Sequence, residues 1–178
     1  MQGLELLEQI GSGGMGEVWA ARHLTGVPVA VKVLSGALVH DERWVSEFRR
    51  EVEAMAALEH PGLAVVLDFG VADESSTFSP NTPYLVMERA EGTLAEPTLQ
   101  PKNWDSLRSL LRALLSALGH AHSRGLIHRD MKPGNILWFG ERGWQIADFG
   151  LAHSTDEVRE NVKEMLGNTL VTKQTGSE

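Results

Sequence analysis

The chain has 178 residues, 42% hydrophobic and 22% charged, a globular composition rather than a disordered, collagenous or repeat-built one. Its 16 basic and 24 acidic residues give a formal charge of −8 with no basic stripe, which argues against a nucleic-acid binder. With no cysteine, disulfides, thiolate nucleophiles and zinc–thiolate sites are excluded, and a reducing compartment fits.

The opening MQGLELLEQI lacks the basic region, apolar core and small-residue cleavage site of a signal peptide. The most apolar stretch, 107–118, is interrupted by Arg108 and Arg112 and is too short to cross a bilayer. A cytoplasmic chain without a membrane segment is expected.

Residues 4–34 read as strands, with turn signals at 11–16 and at Thr25-Gly26. The glycine run lies in Ile10-Gly11-Ser12-Gly13-Gly14-Met15-Gly16-Glu17-Val18. Glycine lets a backbone approach phosphates and turn its N–H groups toward them. A dinucleotide loop runs from a strand into a helix, whereas this one runs into EVWAARH, a turn and VPVAVKVL. The pattern is strand–turn–strand, a hairpin flap.

Lys32 sits between valines and, by strand alternation, shares a face with Ala30 and Leu34. An ammonium there needs an anionic partner. The period then changes. Trp44, Val45, Phe48, Val52 and Met55 recur at helical spacing over 41–58, with Asp41 available as a cap. Glu51 lies on the same face as Phe48 and Met55, so an ion pair with Lys32 accounts for both misplaced charges.

Apolar runs at 63–69 and 84–87 flank a polar, proline-bearing loop, and the stretch 89–92 is the candidate hinge. Leu107, Leu110, Leu111, Leu114, Leu115 and Leu118 form a helical stripe that stops at Gly125. Next comes IHRDMKPGNIL, dense in polar groups between a capped helix and an apolar strand. There Asp130 can accept a hydroxyl proton, Lys132 can neutralise developing phosphate charge, and Asn135 can ligate a cation. A hairpin around 140–143 leads to Asp148-Phe149-Gly150, whose carboxylate is a hard ligand suited to Mg²⁺.

In that order, the glycine loop, VAVK, helix glutamate, HRD-x-K-x-x-N and DFG resemble the eukaryotic-type protein kinases, including bacterial serine/threonine members. The resemblance covers residues 4–152. It implies an α+β, two-lobed fold with ATP and Mg²⁺ as cofactors and a protein serine or threonine hydroxyl as acceptor. Ile10, Gly11, Ser12, Gly13, Gly14, Met15 and Gly16 would cover the phosphates, with Lys32 on the α/β-phosphates and Glu51 its partner. Asp130 would be the base, Lys132 would meet the γ-phosphate, and Asn135 and Asp148 would hold the metal. Val18, Ala30 and Leu137 would sandwich adenine, with Met87 at the back and the Glu88 and Ala90 backbone along its edge. Lysine two places after the aspartate is the serine/threonine pattern. Arg129 before Asp130 implies control by a phosphorylated segment downstream.

Only 30 residues follow Asp148, where the family carries an activation segment and several helices. The expected division is therefore 1–88 as a complete first lobe, 89–92 as hinge and 93–178 as part of the second. Ser154-Thr155-Asp156-Glu157 fits a capping box, and Val158, Val162, Met165 and Leu166 fit a short apolar stripe. The alternative function is an ATP-binding regulatory or inactive fragment. A leucine stripe with little to cover it also predicts self-association.

Overall fold

The computed structural model describes residues 1, 3–13, 16–34, 42–74 and 76–149, without the side chains of 42–45, 47, 48 and 51. Gly14, Met15, Asp41, the Glu51 carboxylate and the segment 150–178, with its expected short helix, lie outside the described residues.

The run PVAVKVL is the centre of the first lobe. It forms β3 (Pro28–Leu34), between β2 (Gly16–His23) and β5 (Pro83–Glu88). β1 (Leu4–Gly13) and β4 (Val66–Val71) complete an antiparallel sheet of order β1-β2-β3-β5-β4. Alternation gives β3 two buried faces. Val29, Val31 and Val33 join Tyr84 and Val86 in one cluster, against which Trp19 and Phe78 pack. Trp19 and Phe78 meet edge to face at 5.9 Å, so the loop between β4 and β5 covers that side.

The other face carries Ala30 and Leu34 with Leu85 and Met87, and receives Val52 of α1 (Glu42–Ala56). Val52 is fully buried and Met55 packs on the same cluster. Burying each such aliphatic side chain stabilises by roughly 1.5–3 kcal/mol, which holds the helix to the sheet. Lys32 opens onto this face, as alternation predicts. Gly16 enters β2 at φ +141, and a Cβ there would drive into the Val33 carbonyl oxygen. Only glycine suits that close approach.

Residues 89–91 join this sheet to a second one, in which β6 (Gly92–Thr93), β7 (Ile136–Trp138) and β8 (Trp144–Ile146) pair antiparallel. Between β6 and β7 lies α2 (Trp104–His122). Asn103 caps it, accepting from Ser106 N–H while the Ser106 side chain returns to the Asn103 backbone. Its buried positions, Leu110, Ala117 and Ala121, are spaced by seven and four residues and so lie on one side. Ala117 and Ala121 form a third cluster with Leu63, Ile146 and Phe149, and Leu114 and Leu118 pack against it. The stripe is split. Leu107, Leu111 and Leu115 face outward at 37%, 42% and 68% exposure.

The backbone ties the two halves where α1 leads into β4. Ile146 N–H donates to Gly62, and Ala64 N–H donates back to Ile146. Among the described residues no helix is long and apolar enough to cross a membrane.

Candidate active site

The segment between α2 and β7 is built around His128, which is 1% exposed. Its Nε2 lies 2.8 Å from the Ala147 carbonyl and its Nδ1 accepts from Asp130 N–H at 3.3 Å. Both contacts require the neutral ring with hydrogen on Nε2. Burial holds its pKa below the ordinary 6.5, against the opposing pull of the Ala147 carbonyl and of Asp148 and Asp130. Depressed in the folded state, the group contributes stability above its unfolded pKa that is lost as pH falls below it. An NMR titration of the intact chain should place this imidazole below 6.5, and Tm should fall between pH 7 and pH 5. A value above 6.5 would reverse the assignment.

The turn after His128 is tight. Asp130 N–H donates to the His128 carbonyl at 2.8 Å, with Arg129 between them at φ +61. A three-residue turn of this hand is the rarer, strained form. Its effect is to aim Asp130. One carboxylate oxygen then receives Lys132 Nζ at 2.6 Å and Asn135 Nδ2 at 3.2 Å, and Asn135 Nδ2 also reaches the Asp130 carbonyl at 2.8 Å. The Lys132 hydrogen bond, helped by Asn135, holds the Asp130 carboxyl below the usual range against a partial desolvation penalty. It is ionised at neutral pH.

Asn135 lies in the 3₁₀ turn Pro133–Asn135 and is 6% exposed. With its amide nitrogen committed to Asp130, its carbonyl oxygen is the acceptor left for a ligand. Ala147 N–H donates to the Asn135 backbone carbonyl at 2.9 Å, which sets the strand end carrying Asp148 beside this turn.

Asp148 also has left-handed backbone, φ +57. Non-glycine residues rarely adopt it, and the cost is of order 1–3 kcal/mol. The conformation sends its Oδ2 to Lys32 Nζ at 2.8 Å, with Lys32 5% exposed. The other oxygen, Oδ1, is buried with no hydrogen-bond partner among the described residues. A buried anionic oxygen of this kind fits contact with a cation. One carboxylate and one amide carbonyl also suit Mg²⁺, which takes few protein ligands and completes its shell with phosphate and water.

Above these groups is a cleft of ≈ 320 Å³ between the two sheets. It brings together Ile10, Gly11, Val18, Ala30, Met87, Glu88, Ala90 and Leu137 with Asn135 and Asp148. Lys32 borders it through its contact with Asp148. Ser12 and Gly13 end β1, and Gly16 begins β2, outside the cleft lining. The described partner of Lys32 is therefore Asp148, on a strand end 116 positions away, and the Glu51 side chain lies outside the described residues. Alternation could place Lys32 on this face but could not reveal a partner from the second sheet. Ala147, Thr93 and Glu96, also on the cleft wall, have no local signal in the sequence.

The sequence pattern of the protein kinase domain matches residues 4–173. The serine/threonine-protein kinase PknA of Mycobacterium tuberculosis is 41% identical over 151 residues, 83% of this chain and 35% of that protein. Pkn3 of Myxococcus xanthus, a serine/threonine-protein kinase, is 40% identical over 84% of this chain and 28% of its own length. Among solved structures, the PknI kinase domain of Mycobacterium tuberculosis superposes with a TM-score of 0.68 at 30% identity, covering 85% of this chain and 60% of that one. The chain thus spans about a third of the length of the curated relatives it matches.

Proposed function

The chain belongs to the protein kinase family, and from that premise we propose that it transfers the γ-phosphate of ATP to a serine or threonine hydroxyl of a protein. The observation that carries this reading is the floor of the cleft. There Asp148 and Asn135 line one wall, Lys32 lies 2.8 Å from Asp148, and Asn135 lies 3.2 Å from the Asp130 carboxylate.

In this reading residues 1–88 are the first lobe, 89–92 the hinge and 93–178 part of the second. Val18 and Ala30 press on one face of adenine and Leu137 on the other. Met87 closes the back, and the backbone of Glu88 and Ala90 meets the purine edge. Ile10, Gly11, Ser12, Gly13, Gly14, Met15 and Gly16 form the flap over the phosphates. Lys32 neutralises the α/β-phosphates, with Glu51 as a second carboxylate to orient it.

Asn135 and Asp148 would hold Mg²⁺, whose charge offsets that of the β- and γ-phosphates. Asp130 receives the proton of the acceptor hydroxyl as that oxygen bonds to the γ-phosphorus. The bond from phosphorus to the β-phosphate bridging oxygen breaks, and ADP leaves. Lys132, already bonded to Asp130, faces the charge that develops on the transferred group. Positioning and electrostatics supply most of the acceleration, because a loose phosphoryl transition state asks little covalent chemistry of the protein.

Calorimetric titration tests the metal assignment directly. ATP should bind at least about tenfold more tightly with Mg²⁺ than with a chelator, and Asp148→Ala should abolish that difference. Labelled ATP with a generic protein acceptor tests transfer. Equal affinity with and without metal would overturn the site, and tight Mg-ATP binding without transfer would leave a nucleotide-binding regulatory domain.

A further inference from the structure

The link between the two sheets is tied in opposite directions by consecutive charged residues. Arg89 Nη2 lies 3.6 Å from Glu8 Oε1 on β1, in the first lobe. Glu88 Oε2 accepts from Arg142 Nη1 at 2.6 Å, and Arg142 belongs to the turn Gly140–Arg142 that joins β7 to β8. One residue is therefore anchored to each lobe.

Arg142 is itself held. Its guanidinium lies 4.8 Å from the centroid of the Phe139 ring, and Phe139 is buried. The turn is closed by Gly143 N–H to the Gly140 carbonyl at 3.0 Å and Phe139 N–H to the Gly143 carbonyl at 3.1 Å. Gly140 has φ +58, and a Cβ on it would run into the Glu91 carboxylate. The hairpin tip thus packs against the connecting strand, and Glu91 N–H bonds to Trp138 of β7 at 2.9 Å. Glu88 and Ala90 also line the cleft.

We propose that Arg142 is a positioning residue for the nucleotide: by tying the Glu88 side chain to the turn between β7 and β8, it fixes the backbone edge that meets the purine. The inference rests on the reading of the cleft as an ATP site. The pair is partly exposed, with side-chain accessibilities of 52% and 30%, so its contribution to global stability is small. Its effect falls on the bound state, where a wandering hinge backbone costs affinity.

Calorimetry and steady-state kinetics on the intact chain decide. Arg142→Ala should raise Kd and KM for Mg-ATP about threefold to fivefold, the range set by one exposed ion pair. It should leave kcat within about twofold and Tm within about 2 °C. Arg142→Lys should restore most of the affinity. Glu88→Ala should match Arg142→Ala, and the double variant should be no worse than either single one. Unchanged affinity in Arg142→Ala, additive losses, or an affinity loss that tracks a fall in Tm would overturn the proposal. If the unmodified chain fails to bind Mg-ATP, the ATP reading falls and takes this inference with it.

Discussion

Replacing Asp130 with asparagine is expected to lower phosphotransfer by roughly 10²–10⁴-fold, the usual worth of a positioned general base. The substitution keeps the shape of the side chain. An amide oxygen can still accept from Lys132 Nζ, now 2.6 Å from the carboxylate, so the turn at Arg129 should persist. What disappears is the site for the hydroxyl proton. Affinity for Mg-ATP should stay within about twofold, because Asp130 does not line the cleft. Rates with labelled ATP and calorimetric Kd values separate the two effects. A variant that keeps more than about a third of the activity would show that the proton goes elsewhere or leaves without a base.

Lys32→Met is expected to cut phosphotransfer by roughly 10²–10³-fold, the loss seen when a fixed donor to a reacting oxyanion is removed. Methionine fills similar space on the buried face of β3, between Ala30 and Leu34, so packing should survive. The carboxylate of Asp148 then loses its one described cationic partner. A half-buried carboxylate without a counter-charge is costly, and Mg²⁺ can supply that charge. The variant should consequently gain more thermal stability from Mg²⁺ than the unmodified chain does. An active Lys32→Met protein would mean that another group meets the phosphates.

Much of the first lobe was legible because its signals are local. Alternation in PVAVKVL gives the two faces of β3, and the helical period of 41–58 anticipates α1 (Glu42–Ala56). The stripe beginning at Leu107 anticipates α2, although its true start, the Asn103–Ser106 capping box, lies earlier than the apolar pattern. Asp130, Lys132 and Asn135 could be paired from sequence because six consecutive positions of one loop hold all three. Lys32 could not be paired so, since its contact with Asp148 joins β3 to a segment from the other lobe. The Glu88–Arg142 bond is equally silent, its ends lying 54 positions apart. Period analysis also credited the six leucines of α2 with one role, whereas the structure buries Leu110 and exposes Leu115. A stripe specifies an apolar surface without specifying what meets each part of it.

The bonds from His128 and Asn135 to Ala147 bear on how the molecule opens. Asp130 follows His128 by two residues, and Asp148 adjoins Ala147, so the two carboxylates hang on this pair of bonds. Regions joined in this way exchange their amide hydrogens as a single cooperative unit, with one opening free energy. A fluctuation that releases the Ala147 carbonyl releases both acidic groups together. A partly assembled centre, with one carboxylate in place and the other adrift, is therefore a poorly populated species.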